Sequence, residues 1–313
     1  MTISPDVVAG RCPVCRAETP TRALGSSPDF EYGTTGPMEW QLVECTGCGS
    51  RLLDPCPADA SIASLYPAEY EPYQFDALPR LVKRGRDWVQ RSKVDHIASL
   101  ADTGATIVDL GCGSGSLLRL LSDNGDPSWK LIGWDFPGPH IEHLRDSGIS
   151  VIAAPIEPGI WTGPPADLVI LNQVIEHFRR PELIIEICHQ LLGPGGHIVI
   201  ETPDVAGLDA RLFKRRHWGG YHTPRHLVMF SQSGLRHLLS THGFAVLDTT
   251  ALLSPAFWVQ SVHHWLTEQR GCRMLAAFFV VRNPFALTMA ALVDLAVKRF
   301  RPTSNQRLVA RRR

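Results

Sequence analysis

A chain of 313 residues is long enough for one large α/β domain with a small appended module, and 44% apolar content gives ample material for a core. Its 31 basic and 31 acidic side chains balance, so bulk charge offers no electrostatic argument for a nucleic-acid partner. Residues 1 to 11 hold no apolar run of leader length and four of the eight cysteines fall in two tight pairs, so the expected setting is the cytoplasm and the expected cysteine chemistry is metal binding rather than a disulfide framework.

In chain order, Cys12-Pro-Val-Cys15 and Cys45-Thr-Gly-Cys48-Gly49 come first. Each Cys-x-x-Cys offers two thiolates to one tetrahedral ion. Two such knuckles close a four-cysteine site with no position left for water, which predicts a structural zinc ribbon over residues 1–54. Prolines 55, 57, 67 and 72 break any long element, so residues 55–78 read as a wrapping linker. Its Tyr66, Tyr70 and Tyr73 can pack on the domain that follows, expected over 79–313. Residues 79–100 have helical spacing, with Leu81, Val82, Trp88, Val89, Val94 and Ile97 on one face.

Strand and helix signals then alternate. Strands are expected at 107–110, 130–134, 150–154, 167–171, 197–201, 244–249 and 307–310, with helices starting at Ser116 and Pro139, at Pro181 after the fourth strand, and over Ser233–Thr241. This predicts a doubly wound, seven-stranded, Rossmann-like sheet covered on both faces. Residues 254–305 form an insertion between the last two strands.

The run from Ile107 to Leu118, Ile-Val-Asp-Leu-Gly-Cys-Gly-Ser-Gly-Ser-Leu-Leu, joins a buried strand to a glycine turn and a helix start. Gly111, Gly113 and Gly115 suit positive φ and close approach of a ligand. A dinucleotide fingerprint wants glycine or alanine three residues after Gly113, and Ser116 stands there. The Asp109-x-Gly-x-Gly-x-Gly form resembles motif I of the class I S-adenosylmethionine (SAM) methyltransferases, whose cofactor has an amino-acid moiety and no phosphate. A carboxylate suits an ammonium and repels pyrophosphate. Asp135, ending the second strand, can accept both ribose hydroxyls. The resemblance implies a cofactor site formed by Asp109, Gly111, Cys112, Gly113, Gly115, Asp135, Phe136, Ile156, Asn172 and Gln173, with Ile156 in the stretch that frames adenine.

Ile175-Glu-His177, the Leu192-x-Pro-Gly-Gly196 turn and motif I together resemble the broad branch that includes the ubiquinone O-methyltransferases, over residues 105–250. Some relatives carry Glu-x-x-Glu-His and use it for a divalent ion; Gln173 replaces the first glutamate here, which argues against a catalytic metal. Leu53-Asp-Pro-x-Pro57 and Leu65-Tyr-Pro-x-x-Tyr70 are similar to the head of bacterial sugar methyltransferases, including deoxysugar C-methyltransferases.

The string from His217 to Phe230 follows the fifth strand and is expected to cover the carboxyl ends of strands four and five as a substrate lid. Imidazole titrates near neutrality, so His222, His226 and His177 are the candidate general bases. Trp218, Tyr221 and Arg225 are the candidate acceptor contacts. Arg225 suits a carboxylate or phosphate of the acceptor, and equally an acidic residue of the core. The alternative for the segment is a packed loop whose histidines satisfy backbone carbonyls. Cys56 and Cys188 read as bystanders.

Residues 255–300 are strongly apolar, interrupted at Arg282-Asn-Pro284 and followed by Lys298-Arg-Phe-Arg301, the start of a tail with no acidic residue. They do not read as a spanning helix. Either the segment from 255 to 301 makes a peripheral membrane contact, or it is a helical cap or dimer face. The function expected is SAM-dependent methyl transfer to a small-molecule, sugar or glycan acceptor. The alternatives are an RNA methyltransferase and an inactive SAM-binding assembly protein. Against RNA, the segment between the cysteine pairs is not basic and no Asn/Asp-Pro-Pro-Tyr/Phe follows the fourth strand.

Overall fold

Three antiparallel strands, β1 (Thr21–Pro28), β2 (Glu39–Cys45) and β3 (Arg51–Leu53), follow the first cysteine knuckle. The computed structural model describes residues 5–6, 11–18, 21–66 and 91–313. Tyr70, Tyr73 and the first half of the helix expected over 79–100 lie outside the described residues; residues 91–98 are helical.

The second sheet contains β4 (Thr106–Leu110), β5 (Lys130–Asp135), β6 (Ser150–Ala153), β7 (Ala166–Asn172) and β8 (Leu192–Pro203). Ile107, Val108, Leu110, Leu168, Val169, Leu171, Ile198 and Ile200 are buried, as expected where helices cover both faces of parallel strands. The expected Leu-x-Pro-Gly-Gly turn is absorbed into the start of β8, where the pairing with β7 breaks register between Leu192 and His197. Helices α1 (Ser116–Asn124), α2 (Pro139–Asp146) and α3 (Pro181–Leu191) connect these strands, the latter two starting on proline, whose fixed φ and missing N–H suit the first helical turn.

After α4 (Leu208–Leu212), β9 (Val228–Met229) joins the edge of the first sheet through antiparallel pairing with β3. Helix α5 (Gln232–Thr241) starts one residue before the expected position because the Ser231 hydroxyl accepts from Gly234 N at 3.0 Å. Strand β10 (Phe244–Leu252) precedes α6 (Pro255–Glu268), α7 (Arg273–Ala276) and α8 (Pro284–Val297), and the last strand is β11 (Asn305–Arg312).

The order across the large sheet is β10-β11-β8-β7-β4-β5-β6, with β11 antiparallel to both neighbours. This is the seven-stranded Rossmann-like arrangement. From β4 the chain goes to β5 and β6 on one side and then returns to β7 on the other, so the switch point lies between β4 and β7, and a ligand crevice opens above their carboxyl ends. A contiguous core unites both sheets: Val14, Trp40, Leu42 and Leu53 belong to the same cluster as Val228, Phe230, Leu235 and Ile200. The expected cationic tail is partly structural, since Arg307 in β11 is buried and pairs with Glu201 at 2.6 Å.

Candidate active site

The chain leaves β4 and turns into α1 through Gly111, Gly113 and Gly115, at φ 70°, 54° and 68°. L side chains avoid this region, and at Gly115 a Cβ would also strike Leu144. Gly111 N donates to Trp134 O at 2.7 Å. Asp135 is fixed at the rim of the same loop: its Oδ2 accepts from Gly113 N at 2.6 Å and its Oδ1 from Phe136 N at 2.7 Å. Each oxygen keeps a further lone pair for a ligand hydroxyl. Phe136 is half exposed beside it, and Ile156 is buried in the turn after β6.

Asp109 lies inside β4, and its Oδ1 has no hydrogen-bond partner. Burial pushes its carboxyl up to about 7, against the opposing pull of the Lys93 charge. A buried, under-satisfied carboxyl beside a positive-φ glycine turn fits an ammonium group, as the amino-acid end of SAM requires.

Lys93 was not singled out by sequence reasoning. Its Nζ donates to Asn172 Oδ1 at 2.9 Å and pairs with Glu201 Oε2 at 2.6 Å, placing a cation at the ends of β7 and β8. The signal was its register: it is a lysine on the same buried helix face as Val94 and Ile97. Gln173, just past Asn172, adopts φ 57°, uncommon for a residue other than glycine, and its Nε2 donates to Asn305 Oδ1 at 3.0 Å. Asn172 and Gln173 thus sit at the crevice with their side chains engaged by neighbouring elements.

Beyond them, Glu176, His177 and His226 converge, with one ligand atom from each lying within 4.8 Å of the others. Glu176 is fully buried; Thr202 Oγ1 donates to its Oε2 at 2.9 Å, while Oε1 is without a hydrogen-bond partner and faces His226 Nε2 at 3.9 Å. Burial raises the Glu176 carboxyl to about 8, so it holds its proton at neutrality. His226 Nδ1 lies 2.8 Å from Gly220 O and donates to it, which leaves the lone pair on Nε2. Burial, then the neighbouring histidines, hold His226 well below its usual value. Burial, then the neighbouring His222, likewise lowers His177 to about 3, against a weaker opposing pull from Asp135. His177 Nδ1 stands 3.1 Å from both the Tyr66 hydroxyl and the Arg225 carbonyl. The His226 ring centroid is 4.7 Å from that of His177 and 5.0 Å from that of His222. His222, at φ 40°, forms an ion pair with Glu31, which descends from the hairpin between β1 and β2.

A family model described as a methyltransferase domain matches residues 81–249, more than half of the chain. The protein belongs to this methyltransferase family. The ubiquinone biosynthesis O-methyltransferase of Cupriavidus pinatubonensis is 33% identical over 121 residues, covering 35% of this chain and 45% of that protein. The mitochondrial ubiquinone biosynthesis O-methyltransferase of Mus musculus is 26% identical over 194 residues, covering 58% and 51%. The chain thus spans about half the length of these curated relatives. Among solved structures, coclaurine N-methyltransferase gives a TM-score of 0.48 at 14% identity, over 71% of this chain and 72% of that one. By family this is a methyltransferase domain, and its seven-stranded sheet has the Rossmann-like arrangement expected of a SAM-dependent one.

The side chains of three expected acceptor contacts are engaged within the protein. Arg225 is fully buried and its guanidinium is taken up by Asp29, at 3.0 and 3.2 Å, and by the carbonyl of Leu65 at 2.8 Å. It therefore serves the second of its two possible roles, pairing within the core. Trp218 is buried and its indole N–H donates to Asp209 Oδ2 at 3.0 Å. Tyr221 is buried as well, its hydroxyl bonded to the Lys214 carbonyl. Both rings form the floor of the segment rather than an open wall, because packing against Arg51 and Phe257 takes them inward. His217 is held by Glu268 at 2.7 Å, away from the cluster. Cys112 is buried in the glycine turn, where burial pushes its thiol up and leaves it unreactive.

The four paired cysteines also meet. Cys12 Sγ is 3.8 Å from Cys48 Sγ, Cys15 Sγ is 3.7 Å from Cys45 Sγ, and all four sulfurs lie within 4.8 Å of one another. Thiolates bound to one tetrahedral zinc ion at its usual bond length lie about 3.8 Å apart. The donor set and spacing fit that ion.

Proposed function

We propose that this protein is a SAM-dependent methyltransferase that modifies a hydroxylated small molecule of sugar or glycan type, with zinc as a structural ion in its cysteine cluster. The observation that carries the reading is the convergence of His177, His222 and His226 above the switch-point crevice, with the Nε2 of His226 facing the buried Glu176 carboxyl.

Asp109 and Lys93 would meet the charged groups of the amino-acid moiety of SAM, and Asp135 its ribose. SAM supplies a methyl group on a sulfonium, already a good leaving group, so positioning the acceptor contributes much of the rate. The chain's own contribution is to hold the acceptor and remove a proton. His226 is the residue assigned to accept it: the Gly220 carbonyl fixes its tautomer and leaves the lone pair on Nε2. His222 is oriented by Glu31, and His177 is placed within reach of the Tyr66 hydroxyl. Burial around the cluster excludes bulk water from the proton transfer.

The test is incubation of the full chain with SAM carrying a labelled methyl group and fractionated host metabolites and RNA. Label in a hydroxylated small-molecule or glycan fraction is expected. Label confined to RNA, or SAM binding without transfer to any fraction, overturns the reading.

A further inference from the structure

The helices inserted between β10 and β11 carry their bulk on the face that a helix surrounded by water keeps polar. In α8 the residues turned toward the protein are Ala286, Ala290 and Asp294, all buried, with the alanines packed beside Val259 of α6. Asp294 is taken up by Ser254 and by the Trp258 indole N–H at 2.8 Å. Outward, the same helix shows Phe285, Met289 and Leu292, at 72%, 54% and 61% exposure, spaced i, i+4, i+7 along one stripe. Met274, 91% exposed, stands in α7 with Leu275, and Phe300, 87% exposed, follows α8. An amphipathic helix of a globular protein has the opposite arrangement, and an exposed apolar helix face is the mark of an interaction surface.

The exposed charge carried by residues 269 to 301 has one sign. Arg270, Arg273, Arg282, Lys298, Arg299 and Arg301 are all exposed, and the only acidic residue from 269 to 301 is Asp294, which is buried. Among the described residues no helix is long and apolar enough to cross a membrane. We propose that this face docks on the surface of an anionic phospholipid bilayer, with Phe285, Met289 and Leu292 at the acyl boundary and the six cations among the headgroups. Charge decides the occupant. A second copy meeting this face about a two-fold axis would bring one cationic set against another, whereas anionic headgroups supply the opposite sign.

The experiment is co-flotation of the full chain with phosphatidylcholine vesicles, alone or with phosphatidylglycerol, at low and high salt. Preferential recovery with the anionic vesicles is expected, reduced by salt. The triple substitution Phe285→Ser, Met289→Ser, Leu292→Ser is expected to lower partitioning by about tenfold or more, since each removes apolar area from the interface. A second variant, Lys298→Glu with Arg299→Glu, is expected to lower it by a similar factor and keeps the proposal testable if the triple variant melts early. No binding, equal binding to neutral and anionic vesicles, or unchanged binding by both variants overturns it. A lipid-free dimer that the triple substitution converts to monomer, without vesicle binding, assigns the face to a second copy and also overturns it.

Discussion

Arg225 donates two hydrogen bonds to Asp29, at 3.0 and 3.2 Å, between side chains with no exposed surface. The pair ties the hairpin between β1 and β2 to the histidine segment, nearly two hundred residues later in the chain. Asp29→Asn leaves a buried guanidinium without its counter-charge, and a loss of about 3–5 kcal/mol is expected. Denaturant titration reads it; an unchanged midpoint would reject the role. Burial alone raises Asp29, but Arg225 outweighs it and holds the carboxyl at about 2. The folded value is depressed, so this stabilisation is present above the ordinary aspartate range and is lost as pH falls toward 2.

Metal content should follow the cysteine cluster. One zinc per chain is expected by elemental analysis, and Cys15→Ser should abolish it. Loss of the ion is expected to destabilise by about 3 kcal/mol, on the order of 5–10 °C in melting temperature for a chain of this size. A variant that keeps its zinc would remove Cys15 from the ligand set.

Lys93→Ala and Asp135→Ala should each weaken SAM binding by about 10–100-fold, or roughly 1.4–2.7 kcal/mol, in a calorimetric titration. Neither change should unfold the protein. Glu201 keeps Arg307 when Lys93 is gone, and Gly113 keeps its positive-φ turn. Affinity within twofold of the parent would show that the crevice does not use these groups.

Glu176 is expected to make stability pH-dependent. Its folded pKa is raised, to about 8, so its contribution is fully present below the unfolded value near 4.5 and is lost as pH rises through 8. Glu176→Gln keeps an oxygen for the Thr202 hydroxyl and cannot ionise. Between pH 6 and 9 the parent should lose stability and the variant should lose less. Parallel curves would refute the buried proton.

His226→Ala should lower kcat by about 10²–10⁴-fold while SAM affinity stays unchanged, the pattern of a base that acts on the acceptor. A loss confined to KM would make His226 a binding residue.

The parallel strands were legible because a strand buried on both faces is a continuous apolar run, as in Ile107–Leu110 and Leu168–Leu171. The glycine turn was legible because only positive φ explains three glycines at alternate positions. What escaped was pairing across long sequence distance. Nothing near Glu31 or Asp29 announces a histidine or arginine partner, and Lys93 looked like an ordinary helix lysine until Glu201 and Asn172 met it. Arg225, Trp218 and Tyr221 have the chemistry of ligand contacts, and only their burial shows that it is directed inward.

The pairing of β3 with β9 has a consequence for synthesis at the ribosome. The four cysteines that can close on a metal are all complete by Cys48, but Leu52, paired on one side with Val43, acquires its second strand partner only when Val228 has been made. At ordinary translation speeds that interval is about 10–35 s. During it the nascent chain holds a complete set of four cysteines beside an open strand edge. Protease sensitivity of chains stalled before and after residue 229 would show the edge closing.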